Sequence, residues 1–249
     1  MKGLLFALAL LLFGPNLAAQ SAEVRVLSAG AVEPGVHAFA DQAQSELGIE
    51  MRIEFNTAPQ IAKRLAAGEV FDILISPPGV IDKALADGQV LAAGRVAIGR
   101  VGAGIAVRSA APAPDVTTVD ALKQALLAAD SLVYNSASTG LYLDQLFASL
   151  GLFDQLQAKT TRYPNGAAVM EHLIKGQGRE IGFGAITEIR LYTDKGLKFV
   201  GPLPAEVQNY TSDDAALMRG ASSPETAAAV LRQLATPTAR AAFAAAGIE

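Results

Sequence analysis

Small and hydroxyl-bearing residues follow four predicted strands, at the points where helices are expected to begin. They lie in segments 28–31, 56–59, 76–79 and 135–140. In open α/β sheets, ligands bind beyond the carboxyl ends of the strands, where helix N-termini present unpaired N–H groups and a partial positive charge. Hydroxyl groups there either cap the helices or donate to a ligand. The pattern favours a site for a small anion.

One acid–histidine pair has a spacing that permits joint chemistry. Glu33 and His37 lie four residues apart and share one face of a predicted helix. An exported, hydrolase-like enzyme using this pair is therefore an alternative function. The simpler interpretation is that Glu33 complements the helix dipole and that His37 is partly exposed. We interpret His172 as a surface residue.

The composition argues against most catalytic and cofactor chemistry. The chain has 249 residues, two histidines and no cysteine, which leaves little material for zinc or histidine-based catalysis. It lacks the glycine-rich nucleotide motifs and the G-x-S-x-G nucleophile motif. With 20 Lys and Arg against 24 Asp and Glu, it shows no basic excess for nucleic acid. We therefore expect a non-enzymatic protein with no cofactor, no metal and no nucleic-acid partner.

The first 22 residues are typical of a secretory signal peptide. Lys2 precedes an apolar run of 10 residues, and Gly14 and Pro15 end that run before several small residues. The run is too short to span a bilayer as a permanent helix, which takes about 20 residues. We expect an exported, periplasmic protein.

Strand and helix patterns alternate along the rest of the chain, which predicts an α/β fold with parallel or mixed sheets. One apolar stretch, residues 96–107, is interrupted by Gly99, Gly102 and Gly104, and is expected to pass between two lobes. Residues 201–204 form a second expected crossing. After it, the patterns predict two final helices, over 224–235 and 237–246, and no further strand.

Five segments, taken in order, resemble the periplasmic molybdate-binding proteins of ABC transporters, within the type II solute-binding superfamily. They are VRVLSAGAVEPGVHAFA, IAKRLAAGEVFDILIS, STGLYLDQLFASLGLFDQLQAK, GREIGFGAITEI and the terminal FAAAGIE. The resemblance implies two α/β lobes around a ligand cleft. Lobe 1 would comprise residues 23–100 and 205–249, and lobe 2 residues 101–204. It also implies a monomer that delivers a small anionic solute to an ABC permease in the inner membrane.

The chain departs from this family's pattern at its binding residues. Ala31, followed by Val32 and Glu33, stands where the family has a serine, and Ala185 stands where it has an aromatic residue. The family's second serine matches Thr57 or Ala58. Molybdate or tungstate therefore follows from the resemblance, whereas a small organic carboxylate follows from the altered loops. A sensory binding module without its own permease is a further alternative.

The predicted ligand-binding residues come from these loops and from the resemblance. Ser138 and Thr139 are the strongest candidates, because they precede a helix whose apolar stripe should fix its N-terminus toward the cleft. The complete set is Ala31, Val32, Glu33, Thr57, Ala58, Ser76, Ser138, Thr139, Gly140, Tyr163 and Ala185.

Overall fold

The computed structural model describes residues 22–249. The predicted signal peptide lies outside the described residues except for Ala22, which is the first residue of the first strand. Within residues 22–249, no helix combines the length and the apolar character needed to cross a membrane.

The described chain alternates nine strands with ten α-helices. The strands are β1 (Ala22–Ala29), β2 (Ile49–Asn56), β3 (Ile73–Ser76), β4 (Val96–Arg108), β5 (Ser131–Asn135), β6 (Thr160–Tyr163), β7 (Glu180–Ala185), β8 (Leu197–Pro202) and β9 (Tyr210–Leu217). The helices are α1 (Glu33–Leu47), α2 (Ala58–Ala66), α3 (Pro78–Ala86), α4 (Val119–Ala128), α5 (Ser138–Ser149), α6 (Phe153–Gln157), α7 (Gly166–Lys175), α8 (Ile186–Arg190), α9 (Pro224–Leu234) and α10 (Pro237–Ala245). A short 3-10 turn, Gly30–Val32, precedes α1.

The strand β4 belongs to both halves of the sheet. Its residues 96–102 pair with β9, in the order β2-β1-β3-β9-β4, and its residues 103–108 pair with β7 and β8, in the order β8-β4-β7-β5-β6. β1 is parallel to β2 and β3, and β5 is parallel to β6 and β7, whereas β9 is antiparallel to both its neighbours. The glycine-interrupted stretch expected to pass between lobes is this shared strand.

Strand β9 forms where the sequence patterns predict none. Its residues include the consecutive acids Asp213 and Asp214, and aspartate is disfavoured in strands. The strand forms because β3 and β4 pair with it on its two sides, with Asp214 opposite Ser76 and Asp213 opposite Gly99. Pairing with distant segments therefore overrides the local preference.

Apolar helix faces attach the outer helices to each half of the sheet. In α1, Val36, Phe39 and Ala43 are buried as their spacing predicts, whereas Leu47 at the end of the same stripe is 44% exposed. In α5, Leu143 and Phe147 are buried in the second half's core as predicted. This packing sets where each helix N-terminus points.

Candidate ligand-binding cleft

A cleft with a cavity volume of about 160 Å³, open to solvent, lies at the carboxyl ends of the strands, between the two halves of the sheet. The turn before α1, the starts of α2, α5 and α7, helix α8 and strand β9 all line it. Its position beyond the strand ends is the one that the sequence predicts for the ligand.

The hydroxyls of Ser138 and Thr139, at the start of α5, are not used to cap the helix. The residue before the helix is Ala137, which has no side-chain cap, and Asn135 Oδ1 instead accepts hydrogen bonds from the backbone N–H groups of Ala137 (3.0 Å) and Gly140 (3.3 Å). Within the described chain, neither Ser138 nor Thr139 uses its hydroxyl in a protein hydrogen bond. Both residues line the cleft, so both hydroxyls are available to a ligand.

Helices α2 and α7 also present their N-termini to the cleft, with their caps already formed. The Thr57 hydroxyl donates to Gln60 Oε1 (2.9 Å), and the same oxygen accepts the Thr57 backbone N–H. Asn165 Oδ1 accepts the backbone N–H of Ala168 (2.9 Å) at the start of α7. The first N–H groups of each helix have no partner within the helix. Several partial positive charges therefore converge on one space.

The charged side chains that line the cleft are all acidic. Glu33, Glu188 and Asp213 line it, and within residues 22–249 no lysine or arginine does. An anion in this cleft would therefore meet positive charge from backbone dipoles and negative charge from carboxylates. The protonation of Glu188 and Asp213 therefore sets how much negative charge a ligand meets.

Asp213 is fully buried in the floor of the cleft, and both its carboxyl oxygens lack a hydrogen-bond partner in the described structure. Burial raises the pKa of Asp213 to about 7, and the negative charges of Asp214 and Glu188 act in the same direction. Asp214 itself pairs with Arg95 at 2.6 Å and takes no part in the cleft. Asp213 is thus a carboxyl that titrates near neutral pH beside the ligand space.

Glu188 projects from α8 into a gap left by two glycines. A Cβ atom at Gly166 would overlap Glu188 Oε2, and one at Gly30 would lie 3.1 Å from Oε1. Burial raises the pKa of Glu188 to about 7; a backbone hydrogen bond with Ala185 opposes the increase, and the charge of Glu33 adds to it. The cleft therefore contains two carboxyls that each exchange a proton near pH 7.

The structure brings seven of the eleven predicted residues to the cleft, and four lie elsewhere. The seven are Ala31, Glu33, Thr57, Ala58, Ser138, Thr139 and Ala185. Val32 is fully buried in the first core, and Ser76 is fully buried at the end of β3. Gly140 sits against the carbonyl of Asn135, which leaves no room for a side chain.

Tyr163 lies outside the cleft, because its hydroxyl is hydrogen-bonded to His172 Nδ1 (2.8 Å). His172 Nε2 contacts Glu180 Oε1 (3.2 Å), so His172 is a partly buried link in a network rather than the surface residue that the sequence suggests. Arg162, on β6, pairs with Asp144 at 2.7 Å and does not line the cleft.

The acid–histidine pair does not converge on the cleft. Glu33 Oε1 and His37 Nε2 are 3.8 Å apart on one helix face, as their spacing predicts, but the His37 side chain is 60% exposed and is not part of the cleft wall. Its ring lies against Phe55. Among residues 22–249, no cluster of three or more His, Cys, Asp or Glu side chains is arranged to hold a metal ion.

Glu188 and Asp213 are the cleft residues that the sequence patterns do not reveal. Asp213 lies on the unpredicted strand, and Glu188 lies in a short helix within the segment GREIGFGAITEI, at a position that the resemblance does not mark as ligand-binding. The one local signal is the Asp213-Asp214 pair among small residues, which is unusual for a buried strand.

Fold and cleft together define a two-lobed solute-binding protein of the type II periplasmic class. Residues 24–249 match the family model described as bacterial extracellular solute-binding protein. The chain belongs to this family. The resemblance to molybdate-binding-like solute-binding proteins is confirmed, as is the α/β fold expected from it.

One relative and two solved structures illustrate the similarity. The chain is 31% identical over 242 residues to a Pseudomonas sp. protein named aconitate isomerase, covering 94% of this chain and 91% of that one. The periplasmic molybdate-binding protein of Azotobacter vinelandii has a TM-score of 0.75 at 18% identity, covering 91% of this chain and 98% of that chain. The sulfate-binding protein SubI of Mycobacterium tuberculosis H37Rv has a TM-score of 0.74 at 14% identity, with coverages of 91% and 86%. At such identities the two structures report on the fold.

Proposed function

We propose that the cleft binds a small di- or tricarboxylate. The observation that carries the proposal is the combination of several helix N-termini with two protonatable carboxyls, Glu188 and Asp213, in one space without a cationic side chain. A ligand whose carboxylates are separated by carbon atoms can place each carboxylate at a helix N-terminus. Its carbon atoms then lie beside the two protein carboxyls.

A tetrahedral oxyanion fits this cleft less well. Ala31 and Ala185 line the cleft at two positions where the resemblance implies side-chain donors, and neither alanine has a donor to offer. An oxyanion carries negative charge on every side, so each ionised carboxyl in contact with it would be repulsive. The relative named aconitate isomerase also supports a carboxylate, because aconitate is a small unsaturated tricarboxylate.

We also propose the transport context that the family implies. The protein is exported to the periplasm, and residues 23–100 with 205–249 close against residues 101–204 around the ligand. The closed, monomeric complex then delivers its solute to an ABC permease in the inner membrane. Hinge motion near residues 99–104 and 201–204 predicts a smaller radius of gyration with bound ligand, which X-ray scattering measures.

A ligand screen on protein stripped of bound solute by unfolding and refolding tests the proposed class. The probes are cis-aconitate, trans-aconitate, citrate, tricarballylate, molybdate, tungstate and sulfate. We expect the tricarboxylates to raise the melting temperature, since a ligand at 100 times its Kd adds about 2.7 kcal/mol of stability. Stabilisation by molybdate or tungstate alone, verified by calorimetry, would overturn the carboxylate proposal.

A second candidate function is isomerisation of the bound carboxylate. The relative's name and the two cleft carboxyls that titrate near pH 7 favour it, because general acid–base groups work best with pKa values near the working pH. The two functions are compatible in one cleft: both need the ligand bound, and only the second changes it. The two functions are distinguished by whether the bound solute is recovered unaltered.

A further inference from the structure

We propose that Glu188 and Asp213 form a proton-transfer pair that moves the double bond of a bound unsaturated tricarboxylate. This inference rests on the proposed function, since it requires that a carboxylate occupy the cleft. It assigns a chemical role to two residues that the sequence patterns do not identify.

The geometry of Asp213 is what first indicates such a role. A buried carboxyl without hydrogen-bond partners is costly to the folded protein, and structural carboxyls of this kind normally have partners. Asp72, the buried residue before β3, illustrates the usual arrangement: it accepts hydrogen bonds from the backbone N–H groups of Arg25 (2.8 Å) and Ser223 (3.0 Å). Asp213 has no equivalent in the described chain and lines the ligand cleft. We therefore infer that a ligand in the cleft supplies the missing hydrogen-bond partner of Asp213.

Glu188 brings a second carboxyl to the same space from the other half of the sheet. Gly30 and Gly166 leave room for its carboxyl, and the start of α7 lies directly beside it. Both carboxyls line the same cleft, and the charge of Glu188 adds, after burial and Asp214, to the raised pKa of Asp213. Two interacting carboxyls favour a state in which one is ionised and the other protonated.

Two further acidic side chains act on the pair. Asp214 acts on Asp213 from the same strand while paired with Arg95, and Glu33 acts on Glu188 from the start of α1. All of these acids favour retention of a proton on the pair near neutral pH.

The singly protonated pair can carry a balanced 1,3-proton shift. The ionised carboxyl removes a proton from the methylene carbon of the ligand, and the remaining electrons delocalise over three carbons toward the adjacent carboxylate. The protonated carboxyl then gives its proton to the former vinylic carbon, and the double bond moves by one position. One proton leaves the ligand and one joins it, so no oxidant or co-reactant is needed. Helix N-termini at the ligand carboxylates stabilise the developing charge.

Isotope exchange measures this step separately from binding. The protein is incubated with trans-aconitate in D₂O near neutral pH, and proton NMR follows both deuterium incorporation and the appearance of cis-aconitate. We expect the wild type to accelerate both. Asp213→Asn and Glu188→Gln should each slow exchange by about 10²–10⁴-fold, the usual contribution of a general acid or base. Calorimetry should show aconitate affinity within about tenfold of the wild type.

Asp82→Asn is the control for a change of charge, because Asp82 is an exposed carboxylate that pairs with Arg95 outside the cleft. We expect it to exchange deuterium within about threefold of the wild type. An equal loss in this variant would show that loss of any nearby acid impairs the cleft, and would overturn the assignment of Asp213.

The other outcomes are also decisive. If wild-type protein binds aconitate without exchange, the proton-transfer pair is wrong and the binding function stands. If it binds none of the tricarboxylates, the proposed function itself fails. Should the variants fold poorly, the pH profile of wild-type exchange decides: a singly protonated pair gives a bell with its maximum near pH 7. A rate that keeps rising above pH 9 would contradict the pair.

Discussion

The hydroxyl of Thr187 donates a 2.6 Å hydrogen bond to the backbone carbonyl of Ala31, and this bond joins helix α8 to the turn before α1. Thr187 is buried, so no water replaces the bond if it is lost. The neighbouring residue is Glu188, whose carboxyl lies near Gly30 of the same turn. This hydrogen bond therefore holds α8, which carries Glu188, against the turn before α1 at the cleft.

Replacing Thr187 tests that contact. We expect Thr187→Val to lower the free energy of unfolding by about 0.5–1.5 kcal/mol, because it removes the hydrogen bond to the partly buried Ala31 carbonyl. Thr187→Ser keeps the hydroxyl and should lose less. Urea unfolding measures both variants. A valine variant as stable as the wild type would mean that the hydrogen bond contributes nothing to the packing of α8.

The stability of the protein should depend on pH through Asp213. The pKa of Asp213 in the folded protein is about 7 and lies above the value of about 4 of an unfolded aspartate, so the folded state binds this proton more tightly. The stability that the proton contributes is complete below pH 4 and is lost as the pH rises toward 7. Above pH 8, Asp213→Asn should therefore be more stable than the wild type, by an amount on the order of a few kcal/mol.

Urea unfolding at pH 5, 6, 7, 8 and 9 checks this expectation. The difference between Asp213→Asn and the wild type should grow with pH and level off above pH 8. Asp82→Asn, which removes an exposed carboxylate outside the cleft, should show no such growth. A difference for Asp213→Asn that stays constant across this range would contradict a titrating buried carboxyl.

The hydroxyls at the start of α5 should matter to ligand binding more than to folding. Asn135, rather than Ser138 or Thr139, provides the side-chain oxygen that accepts N–H groups at this helix start. Ser138→Ala and Thr139→Ala should therefore leave ligand-free stability almost unchanged. Each hydroxyl that donates to a charged ligand should contribute roughly 1.5–3 kcal/mol, or about 10- to 150-fold in Kd.

Isothermal calorimetry with the best tricarboxylate of the screen and thermal melts of the ligand-free variants measure the two effects. The prediction fails if both variants melt early and bind normally, because the hydroxyls would then serve only the helix.

A methyl group at Gly166 should displace Glu188. In Gly166→Ala the new Cβ overlaps Glu188 Oε2, so the carboxyl must move away from its place in the cleft. A displacement of about 1 Å at a reacting group costs on the order of 100-fold in rate, and we expect deuterium exchange into trans-aconitate to fall to that extent.

Gly79→Ala is the matched control for this prediction. Gly79 also lies in the first turn of a helix, and a Cβ there meets no atom within 4 Å. Exchange should be unchanged, and stability should rise slightly because alanine is favoured over glycine in helices. Equal loss of exchange in both variants would show that the displacement of Glu188 is not what slows exchange in Gly166→Ala.

Much of the fold follows from local sequence patterns. The α1 stripe of Val36, Phe39 and Ala43 and the α5 stripe of Leu143 and Phe147 are both buried as their spacing predicts. Gly48 ends α1 with a φ of 66°, in the left-handed conformation that glycine adopts easily. These features depend on residues close together in the chain, and their periodicity therefore reports them reliably.

The cleft's two titratable carboxyls depend on tertiary structure alone. Asp213 is buried because β3 and β4, from remote parts of the chain, pair on either side of a strand whose own residues disfavour it. Glu188 occupies its place because Gly30 and Gly166, far apart in sequence, both leave space for it. By itself, the sequence determined the alternation of strands and helices, the family and the small-residue helix starts. Long-range packing decided that Asp213 is buried without a hydrogen-bond partner and that Glu188 reaches the same cleft, because burial is a property of all the segments that surround a group and not of its neighbours along the chain.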